Sequence, residues 1–126
     1  MENLIIKATK YTPEINLDKN TNIMNIVGKS YPENTFEFYK PVLNWIEEYF
    51  QTKIEAEVLF NLDLEYLNSS SLKAYFDIFD ILETAHENGV KITIKWIYDE
   101  DNDISEETGE DFIEDFETLN IKLVVK

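Results

Sequence analysis

The sequence lacks cysteine and arginine, and it contains one histidine, three glycines and three prolines. Without cysteine the chain can form no disulfide, thiolate metal site or cysteine nucleophile, and a single histidine excludes a multi-histidine zinc site. All 11 Lys+Arg residues are lysines, so bidentate guanidinium clamps for phosphate are absent as well. The three glycines stand far apart, which argues against a glycine-rich nucleotide loop.

Positive charge is also scarce, since the chain has 26 acidic residues but only 11 lysines, and its net charge is −15. Such an anionic chain repels nucleic-acid backbones and anionic membrane surfaces, so we expect neither as a partner. Proteins or small molecules are the expected partners instead. No apolar run approaches the roughly 18 residues of a membrane span, and the first residues do not resemble a signal peptide. The sequence therefore predicts a cytoplasmic protein, and no motif indicates a cofactor.

The chain nevertheless has enough apolar sequence to build a core. Its 126 residues are 44% hydrophobic and 13% aromatic, which excludes a disordered chain and fits one domain over residues 1–126. No change of composition and no internal repeat divides it. We expect this domain to be a monomer when it is free.

Hydrophobic periodicity predicts alternating strands and helices along most of the chain. Strands are predicted at residues 4–8, 22–27, 54–64, 90–98 and 121–125, with 13–17 as a possible sixth. Helices are predicted at residues 35–50, 69–88 and 105–117. Pro41 either begins the regular part of the first helix or kinks it. The strand–helix–strand–helix–strand order favours an α/β fold with right-handed crossovers.

The helix predicted at residues 69–88 is apolar over a wide arc. Its apolar side chains span about 220°, although an arc of about 100° is enough to pack one face. These side chains are Leu72, Tyr75, Phe76, Ile78, Phe79, Ile81, Leu82 and Ala85. Such a helix is either covered on two sides within its own fold or offers spare apolar surface to a partner.

The acidic segment 99–117 is a candidate site for a divalent metal or another ligand. Four of its carboxylates approximate a calcium-loop spacing: Asp99, Asp101, Asp103 and Glu110. The sixth place of this loop holds Ile104, however, where the sharp turn requires glycine. A solvated acidic loop and helix is the alternative interpretation, and we assign no metal ligand.

Catalytic machinery is not recognisable in the sequence. His86 could act as a general base, but it falls near a predicted helix end on the apolar side, where a packed histidine is more common. Because there is no second histidine and no cysteine, a nucleophile–base pair has no members. We therefore predict a non-enzymatic protein without catalytic residues.

Three consecutive serines, Ser69, Ser70 and Ser71, stand between a strong strand and the following helix. A hydroxyl at this position can cap the helix and stabilise it by about 1 kcal/mol, yet Asn68 already offers a capping side chain. Phosphorylation is the other interpretation, because the helix dipole and the free N–H groups tolerate a dianion there. From the residues alone, both interpretations stay open.

Three segments together resemble the SiaC family of bacterial regulatory phosphoproteins. They are residues 28–34 (GKSYPEN), 66–71 (YLNSSS) and 96–99 (WIYD), in this order and spacing. The resemblance implies a STAS-like fold, similar to anti-sigma-factor antagonists, with one sheet of five or six strands packed by helices and an extra N-terminal β-hairpin. It also implies partner switching among a cognate Ser/Thr kinase, a PP2C-type phosphatase and a target such as a diguanylate cyclase, in cyclic-di-GMP and biofilm regulation.

The same resemblance implies the functional residues. The phospho-acceptor of the family is the threonine directly after the asparagine of an Asn-Thr-Ser-Ser motif, and Ser69 stands at that position here, with Ser70 and Ser71 as alternatives. The residues implied in partner binding are Tyr31, Glu33, Asn68, Ser69, Ser70, Leu72 and Lys73. A phosphate on Ser69 would place a dianion in the interface and disfavour binding. Two other interpretations are a metal- or ligand-binding protein using segment 99–117 and a stand-alone ligand-binding domain with an apolar pocket.

Overall fold

Six strands form one mixed sheet in the computed structural model of the protein, which describes residues 1–126. The strands are β1 (Leu4–Ile6), β2 (Glu14–Asp18), β3 (Ile23–Ser30), β4 (Val58–Leu67), β5 (Ile92–Tyr98) and β6 (Asn120–Val125). Their order across the sheet is their order in the chain. β1, β2 and β3 pair antiparallel, whereas β3 to β6 pair parallel. The N-terminal antiparallel strands thus extend a parallel sheet.

Three helices connect the four parallel strands: α1 (Thr35–Gln51), α2 (Ser69–Glu87) and α3 (Asp103–Asp115). Each connection leads to the adjacent strand, and right-handed crossovers in one direction place all three helices on the same face of the sheet. Alternate strand residues point towards the helices and are buried, for example Phe60 and Leu62 in β4. No helix is long and apolar enough to span a membrane.

α2 lies between the other two helices, which explains its wide apolar arc. The ring of Tyr75 meets Tyr39 of α1 at a centroid distance of 5.4 Å. On the other side, Phe79 and Phe112 of α3 pack at 4.3 Å. The sheet and both neighbouring helices therefore cover most of the arc, and Leu72, Phe76 and Ile81 remain partly exposed at its margins. Of the two interpretations of this helix, cover within its own fold is the one observed.

The closeness of α3 to the sheet depends on Gly109. A Cβ atom at this position would stand 2.6 Å from Trp96 Cδ1 and 2.6 Å from Leu123 Cδ2. Real Cβ atoms do not approach other carbon atoms so closely, so the missing side chain lets the helix backbone pack directly on β5 and β6.

The α/β class and the number of strands predicted from the sequence are confirmed, but several strand boundaries differ from the prediction. β4 begins at Val58 rather than at residue 54, because β3 offers pairing partners only from Leu59 onwards. β3 continues past Gly28, where a register shift between Gly28 and Lys29 and a φ of +133° carry it on to Ser30. The possible sixth strand is present as β2, and Pro41 lies inside α1.

Candidate partner-binding site

The N-termini of the three helices lie at one edge of the molecule, next to the carboxyl ends of the parallel strands. Each helix is capped by an asparagine whose Oδ1 accepts a hydrogen bond from a backbone N–H of the first turn. Asn34 accepts from Glu37 at 3.0 Å, Asn68 from Ser71 at 2.9 Å and Asn102 from Ser105 at 3.1 Å. We call this region the N-cap edge. It gathers three positive helix-dipole ends.

The three serines at the start of α2 have different environments. Ser69 is exposed as the first residue of the helix. Ser70 is also exposed, but its Oγ lies 2.6 Å from Thr35 Oγ1 and donates to Asn68 Oδ1 at 3.2 Å. Ser71 is fully buried, with its Oγ 2.7 Å from Ser30 Oγ. A kinase acting on the folded protein can reach Ser69 and Ser70, whereas burial argues against Ser71 as an alternative.

A buried group of four hydroxyls lies beneath the start of α2. Ser30 Oγ is 2.7 Å from Ser71 Oγ and 2.6 Å from Tyr39 Oη, which in turn donates to Tyr75 Oη at 3.1 Å. Burial raises the pKa of Tyr39 above its ordinary value and raises that of Tyr75 well above it. Both tyrosines are therefore neutral at physiological pH. This hydroxyl cluster ties the end of β3, α1 and α2 together.

Sequence reasoning assigned these hydroxyl groups no role. Helical periodicity predicts Tyr39 and Tyr75 on apolar helix faces, and the turn residues around Pro32 predict Ser30 in a turn. A tyrosine predicted at a core position does carry a signal, since its buried hydroxyl needs a hydrogen-bond partner. Which partner it finds depends on the packing of two helices against a strand end.

Tyr31 and Glu33 lie in the loop between β3 and α1, at the N-cap edge. The half-buried ring of Tyr31 makes edge contacts with Tyr11 and Tyr66, at centroid distances of 5.3 and 5.9 Å. Glu33 is exposed in the same loop. The backbone N–H of Asn68 donates to Ser30 O at 3.0 Å, which holds this loop beside the start of α2. The structure therefore brings Tyr31 and Asn68 to one surface.

Exposed apolar side chains are also present at the N-cap edge. Phe36 and Ile104, in the first turns of α1 and α3, are each 75% exposed, and Tyr11 and Tyr66 are each 51% exposed. We call these four residues the apolar rim. The helical periodicity of residues 35–50 predicts Phe36 on the same buried face as Tyr39, but Phe36 is exposed because that face becomes buried only from Tyr39 onwards.

Two further predicted partner residues follow Ser69 on α2. Leu72 is half-buried and follows directly after the three serines. Together with Ile104 and Tyr66 it lines a small cleft. Lys73 is exposed and lies one helical turn after Ser69. The apolar rim adds apolar contact area next to these residues. Of the aromatic residues on this surface, the sequence had indicated only Tyr31.

The acidic segment continues from an exposed loop into α3, and His86 packs near the end of α2. No group of three or more histidine, aspartate or glutamate side chains is arranged to hold a metal ion. Asp99 lies 4.0 Å from the ammonium group of Lys126, and Asp103 has become the first residue of α3. His86 Nδ1 lies 3.3 Å from Val90 O at the end of α2, which is a packing position. The calcium-loop spacing is therefore not matched by this geometry, and His86 occupies the packed position that was the alternative interpretation.

Fold and site together define a small two-layer α/β protein whose candidate site is an exposed edge rather than an enclosed pocket. The chain belongs to the SiaC family, because the model of the SiaC family regulatory phosphoproteins matches residues 6–126. It is 39% identical to an uncharacterized protein of Pseudomonas aeruginosa over 115 aligned residues. The alignment covers 91% of this chain and 90% of that protein. The resemblance found in the sequence is thereby confirmed.

Solved structures of SiaC from Pseudomonas aeruginosa have the same fold. One is 34% identical and superimposes with a TM-score of 0.90 over the whole of both chains. Another is a complex of the diguanylate cyclase SiaD with its activator SiaC. The SiaC chain in it is 35% identical, with a TM-score of 0.91 and coverage of 98% of this chain and 99% of that one.

Proposed function

We propose that the protein is a non-enzymatic regulator that binds and activates a diguanylate cyclase and is switched by phosphorylation of Ser69. The observation that carries this proposal is the exposed Ser69 hydroxyl at a helix N-terminus, with the apolar rim on the same edge. The activator role of SiaC in its complex with SiaD supports the choice of target. The unit is proposed to be one monomeric cytoplasmic domain, residues 1–126.

In the unmodified state, the N-cap edge would contact the cyclase. The residues proposed to make the contact are Tyr31, Glu33, Asn68, Ser69, Ser70, Leu72 and Lys73. The apolar rim would supply much of the buried apolar area, since exposed aromatic and aliphatic side chains commonly anchor protein interfaces. The hydroxyl cluster beneath would hold β3, α1 and α2 in a fixed arrangement before the partner arrives, which lowers the entropy lost on binding.

Phosphorylation of Ser69 would put a dianion into this interface. The phosphate gains from the N-terminus of α2 and from Lys73, four residues further along the helix, so the free protein tolerates it. In the complex it would have to be desolvated against partner groups, which disfavours binding. A cognate Ser/Thr kinase and a PP2C-type phosphatase would then set the fraction of binding-competent molecules. Ser69 is preferred over Ser70 because the Ser70 hydroxyl bridges Thr35 and Asn68.

Binding and cyclase activation measured with purified proteins test this proposal. A diguanylate cyclase of the SiaD type from the same organism is titrated with unmodified protein, with protein phosphorylated at Ser69, and with Asn44→Asp. The last variant adds one negative charge at an exposed position of α1 that no proposed contact uses. We expect the phosphate to weaken binding by at least about tenfold, or about 1.4 kcal/mol, and to abolish activation.

The Asn44→Asp variant should bind and activate as the wild type does. If protein phosphorylated at Ser69 bound and activated equally well, Ser69 would not be the switch. If the unmodified protein bound the cyclase without raising its activity, the activator role itself would be wrong.

A further inference from the structure

A groove of about 400 Å³ runs between the C-terminal halves of α1 and α2, away from the N-cap edge. Its floor is apolar and consists of Phe50, Ile81, Ala85 and Val90. Three of these four side chains are partly exposed, so the floor is accessible from solvent. A volume of this size lies within the range of about 300–1,000 Å³ in which proteins bind ligands.

The groove is negatively charged. Glu47 of α1 and Asp80 of α2 line it, and neither carboxylate forms an ion pair within 4.0 Å. No lysine lines the groove. The lysines that follow α1 and precede β5 are engaged elsewhere, Lys53 with Glu55 at 3.2 Å and Lys91 with Glu57 at 3.7 Å.

The ends of both helices add to this charge. α1 ends at Gln51 and α2 at Glu87, so two negative dipole ends lie near the groove, and the last turn of α1 contains no basic residue. Unpaired carboxylates and helix C-termini both favour a cation. The apolar floor between them favours an aliphatic or aromatic side chain.

We propose that this groove binds a basic amphipathic helix of a protein partner. An apolar side chain of that helix would lie on the floor, and a lysine or arginine three or four positions away would reach Glu47 or Asp80. Neighbouring packed helices have axes about 8–10 Å apart, and a third helix commonly docks into the groove that such a pair presents. The net charge of −15 would also attract a cationic segment from a distance.

A labelled peptide tests this proposal without knowledge of the natural partner. The probe is a fluorescent amphipathic helical peptide of leucine and lysine, and its binding is followed by fluorescence anisotropy at physiological salt. The wild type is compared with E47Q/D80N and with E107Q/E114Q. Both double variants remove two exposed carboxylates and change the net charge equally, but only the first pair lines the groove. We expect the Kd to rise at least about tenfold for E47Q/D80N and less than about twofold for E107Q/E114Q.

Three results would overturn the assignment. Equal weakening by both double variants would show only general attraction between a cationic peptide and an anionic protein. Equal binding of a peptide that keeps its lysines but has serine in place of leucine would show that the apolar floor is not used. Weakening by Ile104→Ser, which removes an exposed apolar side chain of the N-cap edge, but not by E47Q/D80N would place the peptide at that edge instead.

Discussion

The hydroxyl of Tyr39 is the central residue-scale contact of the hydroxyl cluster. It lies 2.6 Å from Ser30 Oγ and donates to Tyr75 Oη at 3.1 Å, in a fully buried environment. Removing it in Tyr39→Phe leaves Tyr75 without this partner while the ring still fills the core. Because an unsatisfied buried polar group costs about 1–3 kcal/mol, we expect the free energy of unfolding to fall by that amount. Urea denaturation followed by circular dichroism measures it.

Tyr66→Phe is the matched control for this substitution. It removes the same atom from a ring that is 51% exposed, so the hydroxyl is hydrated in both the folded and the unfolded chain. We expect a change of less than about 0.5 kcal/mol. Equal effects of the two substitutions would show that the hydroxyl cluster contributes nothing specific to stability.

The charges at the two ends of α2 act at the scale of the element. Its first turn contains no acidic residue although Asn68 caps it, and Lys73 lies one turn after Ser69. A negative charge at Ser69 is therefore favourable in the free protein. We expect Ser69→Asp to raise the free energy of unfolding by about 0.3–1 kcal/mol, measured by thermal unfolding at low ionic strength.

Asn88→Asp is the control for charge, because it adds one negative charge at the opposite end of α2, where the helix dipole disfavours it. It should lower the stability. A Ser69→Asp protein less stable than the wild type would contradict the expectation, and a loss of cyclase binding by that variant could then reflect unfolding. A stable variant that fails to bind would locate the effect of the charge in the interface.

Elements could be predicted from the sequence where local pattern and tertiary packing agree. β5 and α2 followed from their strict periodicities of two and 3.6 residues. Elsewhere, contacts with neighbouring elements determine where an element begins and which of its side chains are buried. Residues 54–57 alternate like a strand but have no pairing partner in β3. Phe36 belongs to the apolar stripe of α1, but it lies in the first turn, before the part of the helix that packs on the sheet.

The site was predictable as a motif but not as a surface. Ser69, Ser70 and Ser71 are the same residue type; burial separates Ser71 from the other two, and the hydrogen bonds of its hydroxyl separate Ser70 from Ser69. Tyr11, Phe36, Tyr66 and Ile104 come from four separate segments. The parallel βα connections bring Phe36, Tyr66 and Ile104 to one edge, and the loop between β1 and β2 adds Tyr11, whose carbonyl accepts a hydrogen bond from the Tyr31 N–H at 2.8 Å. A property that depends on which segments meet cannot be inferred from the pattern within one segment.

Four buried tyrosines make the stability of the whole molecule sensitive to alkaline pH. Burial raises the pKa of Tyr49 to about 12, raises that of Tyr39 and raises that of Tyr75 well above the ordinary value of 10.0, and burial together with the neighbouring Glu106 raises the pKa of Tyr98. In the unfolded chain the same groups ionise near 10. Above pH 10 the unfolded chain therefore binds fewer protons than the folded one, so stability is fully present below that pH and is lost as pH rises.

We expect the free energy of unfolding to be constant below about pH 9 and to fall steeply above pH 10, by up to about 1.4 kcal/mol per pH unit for each tyrosine that stays protonated. Urea denaturation at a series of pH values measures the slope, and tyrosinate absorbance reports ionisation.

Because the tyrosines share one core with Trp45 and Trp96, tyrosine ionisation, tryptophan emission and circular dichroism should change together in one cooperative transition. Tyr66→Phe, which removes an exposed phenol, should leave the slope unchanged, whereas Tyr39→Phe should reduce it. Ionisation of all seven tyrosines near pH 10 in a protein that stays folded would show that the core does not protect these groups.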